Sequence, residues 1–137
     1  MNFYIASRLE NAARVRELAE VLKSWGWQQT YDWTSHGMVL GEKDDLQRVA
    51  AEELAGVIRA QIVIVLLPGG RGTHTELGLA LGYRKKIVLY SEDPASFDPA
   101  SRDTCSFYWL PEVERVQCPW EELPRWLKEK YSFALQT

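Results

Sequence analysis

The chain has 137 residues, a formal net charge of −3, 46% hydrophobic residues and 26% charged residues. This fits one globular domain over 1–137 with a single core, and it argues against a disordered chain, a nucleic-acid polymer as partner or an anionic membrane surface. The longest apolar run, Ile62 to Leu67, is too short to cross a bilayer, the N-terminus lacks a signal-peptide pattern, and Cys105 and Cys118 match no metal or redox spacing. Reduced thiols in the cytoplasm are therefore expected, with no metal and no cofactor.

In chain order, "FYIAS" (3–7) reads as a buried strand. From Asn11 to Trp25 the residues Val15, Leu18, Ala19, Leu22 and Trp25 recur at helical spacing, and Gly26 ends that helix. "WQQTYDW" (27–33) predicts a second strand, 34–42 a loop, and a helix runs from Asp44 to about Arg59. "QIVIVLL" (61–67) is the continuous β-branched run of a central parallel strand. A helix over Thr73–Tyr83, a strand "KIVLYS" (86–91), a loop over 92–103 and a strand "VERVQ" (113–117) follow. "EELPRWLKEKY" (121–131) predicts a closing helix with Pro124 in its first turn. The alternation predicts an α/β, Rossmann-like or flavodoxin-like three-layer sandwich with a five-stranded parallel sheet. In such sheets ligands bind beyond the carboxyl ends of the strands. Those ends are Ser7-Arg8, Asp32-Trp33 and "LPGGRGTHTELG" (67–78).

The last of these stretches runs from a buried strand into a helix, so its amide N–H groups suit a phosphate or another anion. Gly69, Gly70 and Gly72 allow close approach and positive φ; Arg71 adds charge, Thr73 a hydroxyl, and His74 lies near enough to contact a ligand. The other reading is a plain strand-to-helix turn, with Thr73 as N-cap and Glu76 completing a capping box. The sequence fits neither a Walker loop nor the dinucleotide fingerprint. Glu76 falls at the upper edge of an apolar helix face with Leu77, Ala80 and Leu81, so it is either a cap or a reactive group. The preceding helix carries an apolar stripe of Leu46, Val49, Ala50, Leu54, Val57 and Ile58, and Glu53 is the misfit on it. A buried carboxylate is costly unless it is paired or used. Two carboxylates at one crevice suit glycosidic chemistry, one at the anomeric carbon and one handling protons. Asp32 is a third acidic candidate. Tyr4, on the first strand, needs a partner for a buried hydroxyl, and a crevice carboxylate would serve.

With "FYIAS", "YDW", "ELAGVIRAQIVIVLL" and "GTHTELGLALGYRKKIVL", the chain resembles the nucleoside 2-deoxyribosyltransferase family, which includes deoxynucleoside monophosphate N-glycosidases and CMP hydrolases. The resemblance implies that Glu76 is the nucleophile at C1′, that Tyr4 hydrogen-bonds it, and that Glu53 contacts the sugar and assists proton transfer. The family has Asp at that position and "AD" where this chain has Ala60-Gln61. Six residues before the nucleophile, the nucleoside-specific transferases carry an Asp that holds the 5′-hydroxyl. Gly70 stands there beside Arg71, which favours a 5′-phosphate and hence nucleoside monophosphates over free nucleosides. Ser7 and Arg8 match the family's substrate-binding segment, with Trp33 closing the second strand. The resemblance further implies a homo-oligomer with sites near the subunit interface, completed from the "RDTCSFYW" region, where Ser106 is the candidate. "PGGRGTHTE" alone also resembles the motif of LOG-type phosphoribohydrolases, which break the same kind of bond. The expected activity is N-glycosidic cleavage or transfer, hydrolysis favoured; the alternative is a non-catalytic nucleotide-binding module on the same fold.

Overall fold

The sheet is built from β1 (Asn2–Ala6), β2 (Gln28–Gln29), β3 (Ile62–Leu66), β4 (Lys86–Ser91) and β5 (Val113–Gln117), all parallel, in the order β2-β1-β3-β4-β5. Four helices accompany it: α1 (Ala12–Ser24), α2 (Lys43–Arg59), α3 (Arg71–Gly82) and α4 (Leu123–Lys130), giving a flavodoxin-like α/β fold. The computed structural model describes residues 1–37 and 39–131.

β3 lies between β1 and β4 and all five of its residues are buried, which is why it carries Ile and Val at every position but the last. Tyr4 pairs with Val63, and Tyr4 and Phe3 are both fully buried. α1 buries Val15, Leu18, Ala19 and Leu22, and it ends at Gly26, whose φ of +86° is a left-handed conformation that favours glycine. The order of connection reverses between β1 and β3: through α1 the chain passes from β1 to β2 on one side, and through α3 from β3 to β4 on the other. That places the switch point at the carboxyl ends of these two strands.

Three expectations need correction. The second strand is two residues long rather than seven. It pairs only as Asn2 with Gln28 and Phe3 with Gln29, at the sheet edge. The chain then peels away because the Thr30 hydroxyl donates to Gly56 O at 2.7 Å, and Asp32 caps a short 3-10 turn over Trp33–Ser35. Next, α3 starts at Arg71 with Gly70 as N-cap, two residues before Thr73. The third concerns α2. Its inward row is Val49, Glu53, Gly56 and Val57, continued by Ala60, whereas Leu46, Ala50, Leu54 and Ile58 form an exposed row. The apolar stripe thus splits into two rows, one on the core and one on solvent. Gln61 closes the other end of the sheet, where its Oε1 accepts the Asn2 N–H at 2.8 Å. Among the described residues no helix is long and apolar enough to cross a membrane.

Candidate active site

A cleft of about 640 Å³ opens at the switch point. Its floor is the turn after β1 (Ser7, Arg8) and the first turn of α3 (Gly70 to Thr73), with Glu76 one turn further along. Its opposite wall comes from Trp33, His36 and α2, including Val49 and Glu53. The structure therefore brings the ends of β1 and β3 together with two helices.

The first turn of α3 presents the amide groups of Arg71, Gly72 and Thr73, which have no partner within the helix. Gly70 does not add to that set, because its N–H already donates to Thr73 Oγ1 at 3.1 Å. The capping box predicted with Thr73 and Glu76 is absent for the same reason: Thr73 is the third helical residue, and Glu76 is occupied elsewhere. None of Gly69, Gly70 and Gly72 has positive φ. Gly69 is required by space instead, since a Cβ there would lie 2.5 Å from Thr73 Cγ2. A Cβ at Gly72 would meet open space.

Glu76 is 6% exposed, and Tyr4 Oη donates to its Oε2 at 2.6 Å. Burial, and after it a hydrogen bond with the Glu53 carboxyl, push the Glu76 carboxyl up to about 9, while the Tyr4 bond works in the opposite direction. Burial, the Glu76 carboxylate and Glu53 together hold the Tyr4 phenol far above its ordinary range, so it remains a donor. The three groups come from β1, α2 and α3, and the half-buried Glu53 meets Glu76 because it lies on the inward row of α2. Burial and the shared hydrogen bond thus bias the Glu76–Glu53 pair towards holding a proton.

The other predicted residues fall into two groups. Ser7, Arg8, Trp33, Gly70, Arg71, Gly72 and Thr73 line the cleft. Ser7 Oγ donates to Leu66 O at 2.8 Å, Arg8 pairs with Glu10 at 3.3 Å, and Trp33 is fixed by its indole N–H to Ile5 O at 2.7 Å. Asp32, Gly69, His74 and Ser106 are not among the lining residues. Asp32 accepts from Thr34 N at 3.0 Å as a cap. His74 bridges two segments instead: its Nδ1 is 2.7 Å from Gly70 O and its Nε2 is 2.7 Å from Tyr108 Oη. A carbonyl only accepts, so Nδ1 carries the proton and Nε2 accepts from Tyr108. Ser106 is exposed at the start of a 3-10 turn, Ser106–Trp109, whose Tyr108 is buried.

Sequence reasoning missed the apolar side of the cleft, lined by Val39, Leu40, Leu46 and Val49, and His36, which lines the cleft as well. It also missed Asn11, whose Nδ2 donates to Ser7 Oγ at 2.9 Å and Pro68 O at 3.1 Å, tying the two switch-point turns together. An Asn at a helix start reads as a cap, so its sequence position carries no hint of that cross-link. Among the described residues no group of three or more His, Cys, Asp or Glu could hold a metal ion.

Comparison with known proteins adds an independent line. A family model described as nucleoside 2-deoxyribosyltransferase matches residues 3–123. Among solved structures, the Clostridium botulinum CMP N-glycosidase BcmB superposes with a TM-score of 0.67 at 17% identity, covering 95% of this chain and 99% of that one. A 2-deoxyribosyltransferase from the psychrotolerant bacterium Bacillus psychrosaccharolyticus superposes with a TM-score of 0.63, also at 17% identity and with 90% of each chain covered. At that identity the likeness shows the fold. No curated protein matches the sequence.

Proposed function

This chain belongs to the nucleoside 2-deoxyribosyltransferase family, whose members cleave or transfer at nucleoside N-glycosidic bonds, and on that premise we propose that it releases the base from nucleoside 5′-monophosphates with Glu76 as nucleophile at C1′. The observation that carries this reading is the Tyr4–Glu76–Glu53 constellation at the floor of the cleft. A buried carboxyl that shares a hydrogen bond with a second carboxyl has a direct path by which its proton can pass to that neighbour when charge in the cleft changes. In the proposed sequence, seating of the substrate moves the Glu76 proton to Glu53. The Glu76 carboxylate then attacks C1′ as the C1′–N bond breaks, and Glu53 passes the proton to the departing base. Tyr4 keeps donating to the Oε2 that does not attack, which stabilises the charged form.

The 5′-phosphate is assigned to the first turn of α3, where the amides of Arg71, Gly72 and Thr73 meet the helix dipole. Arg71 and Arg8 line the same end of the cleft and supply cations. The apolar wall of Val39, Leu40, Leu46 and Trp33 is assigned to the base. Water is favoured over a second base as acceptor. Both cysteines are free, in keeping with a reducing cytoplasm.

A homo-oligomer is proposed through the exposed row of α2. Two such helices, packed antiparallel about a two-fold near Glu52, set Leu46 against Ile58 and Ala50 against Leu54. Leu40 and Leu46 line the cleft as well, so the second copy would border the site.

The test is incubation with a panel of ribo- and deoxyribonucleoside monophosphates, scored for free base with and without added second base. Glu76→Ala should lower release by at least about a thousandfold, a loss of roughly 4 kcal/mol of transition-state stabilisation. Equal release by wild type and Glu76→Ala would remove Glu76 from the mechanism. Nucleotide binding without release by wild type would favour the non-catalytic module.

A further inference from the structure

Two carboxylates on different helices touch only if α2 comes close to β1 and α3, and one residue of α2 permits that approach. Gly56 follows Glu53 by one turn on the same inward row. A Cβ at position 56 would lie 2.8 Å from Tyr31 Cβ and 3.1 Å from both Tyr4 Cδ2 and Tyr4 Cε2. Its φ is not in the left-handed region, so it is the space and not the backbone conformation that calls for glycine. Tyr4 cannot yield, because it is fully buried and its hydroxyl is held 2.6 Å from Glu76. The same stretch of α2 is fastened to the segment after β2 on two sides. Thr30 Oγ1 donates to Gly56 O at 2.7 Å, and Arg59 donates to Thr30 O at 2.9 Å.

We propose that Gly56 is a positioning residue: the missing side chain lets α2 seat directly on Tyr4 and Tyr31, and that seat holds the Glu53 carboxyl against Glu76. A methyl group at 56 has to be met by outward movement of α2, which carries Glu53 away while Tyr4 stays with Glu76. The roles given to the two carboxylates rest on the proposed function, but the seat itself does not. The groups that act on Glu76 are Tyr4 from β1 and Glu53 from α2, while Arg8 from the turn after β1 and Arg71 from the first turn of α3 line the same cleft. Of these only Glu53 rides on α2, so a displacement of α2 acts on Glu76 through Glu53.

The experiment is a pH titration of 13C-carboxyl-labelled glutamate by NMR, with the Glu76 signal assigned by its loss in Glu76→Gln. The proteins are wild type, Glu53→Ala, Gly56→Ala and the double variant. Glu53→Ala is expected to lower the Glu76 midpoint by about one pH unit or more, the size of a contact effect between carboxyls. Gly56→Ala should lower it in the same direction, and adding Glu53→Ala to it should move it little further, the non-additivity of two changes to one contact. The proposal is overturned if Gly56→Ala lowers only the melting temperature and leaves both the Glu76 midpoint and the full Glu53→Ala shift in place. If Gly56→Ala does not fold, Tyr31→Gly/Gly56→Ala removes the 2.8 Å contact and keeps the clash with Tyr4. That variant should fold with the lowered midpoint, and a wild-type midpoint in it overturns the proposal too. Turnover is not the readout. A wild type that releases no base sinks the proposed function and leaves the titration to decide the role of Gly56.

Discussion

Glu76 shows how one side chain takes its chemistry from three elements. Burial and the Glu53 carboxyl push it from 4.5 up to about 9, while Tyr4 pulls the other way. The thermodynamic consequence has a definite sign. Between the unfolded value near 4.5 and the folded value near 9, the native protein binds more protons than the unfolded chain. The stability contribution is therefore fully present below the lower value and is lost as pH rises toward the upper one, with a slope of up to about 1.4 kcal/mol per pH unit. Urea midpoints of wild type and Glu76→Gln, compared at pH 5 and pH 8, measure this. Wild type should lose stability relative to the variant over that interval, whereas parallel behaviour would mean that Glu76 is not held protonated.

At the scale of elements, the loop before α3 divides its glycines by physical role. Gly69 passes so close to Thr73 that a methyl group does not fit, and Gly70 has its N–H on the Thr73 hydroxyl. Gly72 faces open space at the helix start. Gly69→Ala is expected to cost about 1–3 kcal/mol by overpacking, read as a lowered urea midpoint. It should also weaken the response to inorganic phosphate in a thermal-shift titration, because Thr73 belongs to the first turn assigned to the anion. Wild-type stability for Gly69→Ala would show that the turn yields at no cost. α2 is divided in another way, one row on Tyr4 and one row of Leu46, Ala50, Leu54 and Ile58 in solvent.

For the whole molecule, the sheet order β2-β1-β3-β4-β5 puts the switch point between β1 and β3, and the cleft opens there. The exposed row of α2 then lies beside the cleft mouth, because Leu46 belongs to both. A continuous exposed apolar row is an interface signal. Leu54→Asp places a charge at the middle of the proposed pairing, opposite Ala50, at a residue that does not line the cleft. Analytical ultracentrifugation should give a multimer for wild type and a smaller, folded species for Leu54→Asp. A monomeric wild type would refute the assembly.

The sequence alone determined what depends on local pattern. Periodicity and β-branched runs marked all four helices and the four longer strands, and β4 and β5 have the predicted limits because their runs are bounded by turn residues. Glu53 stood out as a charge among apolar neighbours. Tertiary structure decided what depends on neighbours distant in the chain. β2 shrank because Thr30 found an acceptor on α2, and half of the α2 stripe faced solvent because periodicity names a face without saying what covers it. Asp32 and His74 look like ligand residues by position, yet their bonds go to Thr34, Gly70 and Tyr108. The meeting of Tyr4, Glu53 and Glu76 needed three crossovers to close, and the space at Gly56 that allows it is set by Tyr31 and Tyr4. Hydrophobic pattern fixes where an element runs and which side is apolar; hydrogen-bond partners and steric clearance exist only once the elements are packed.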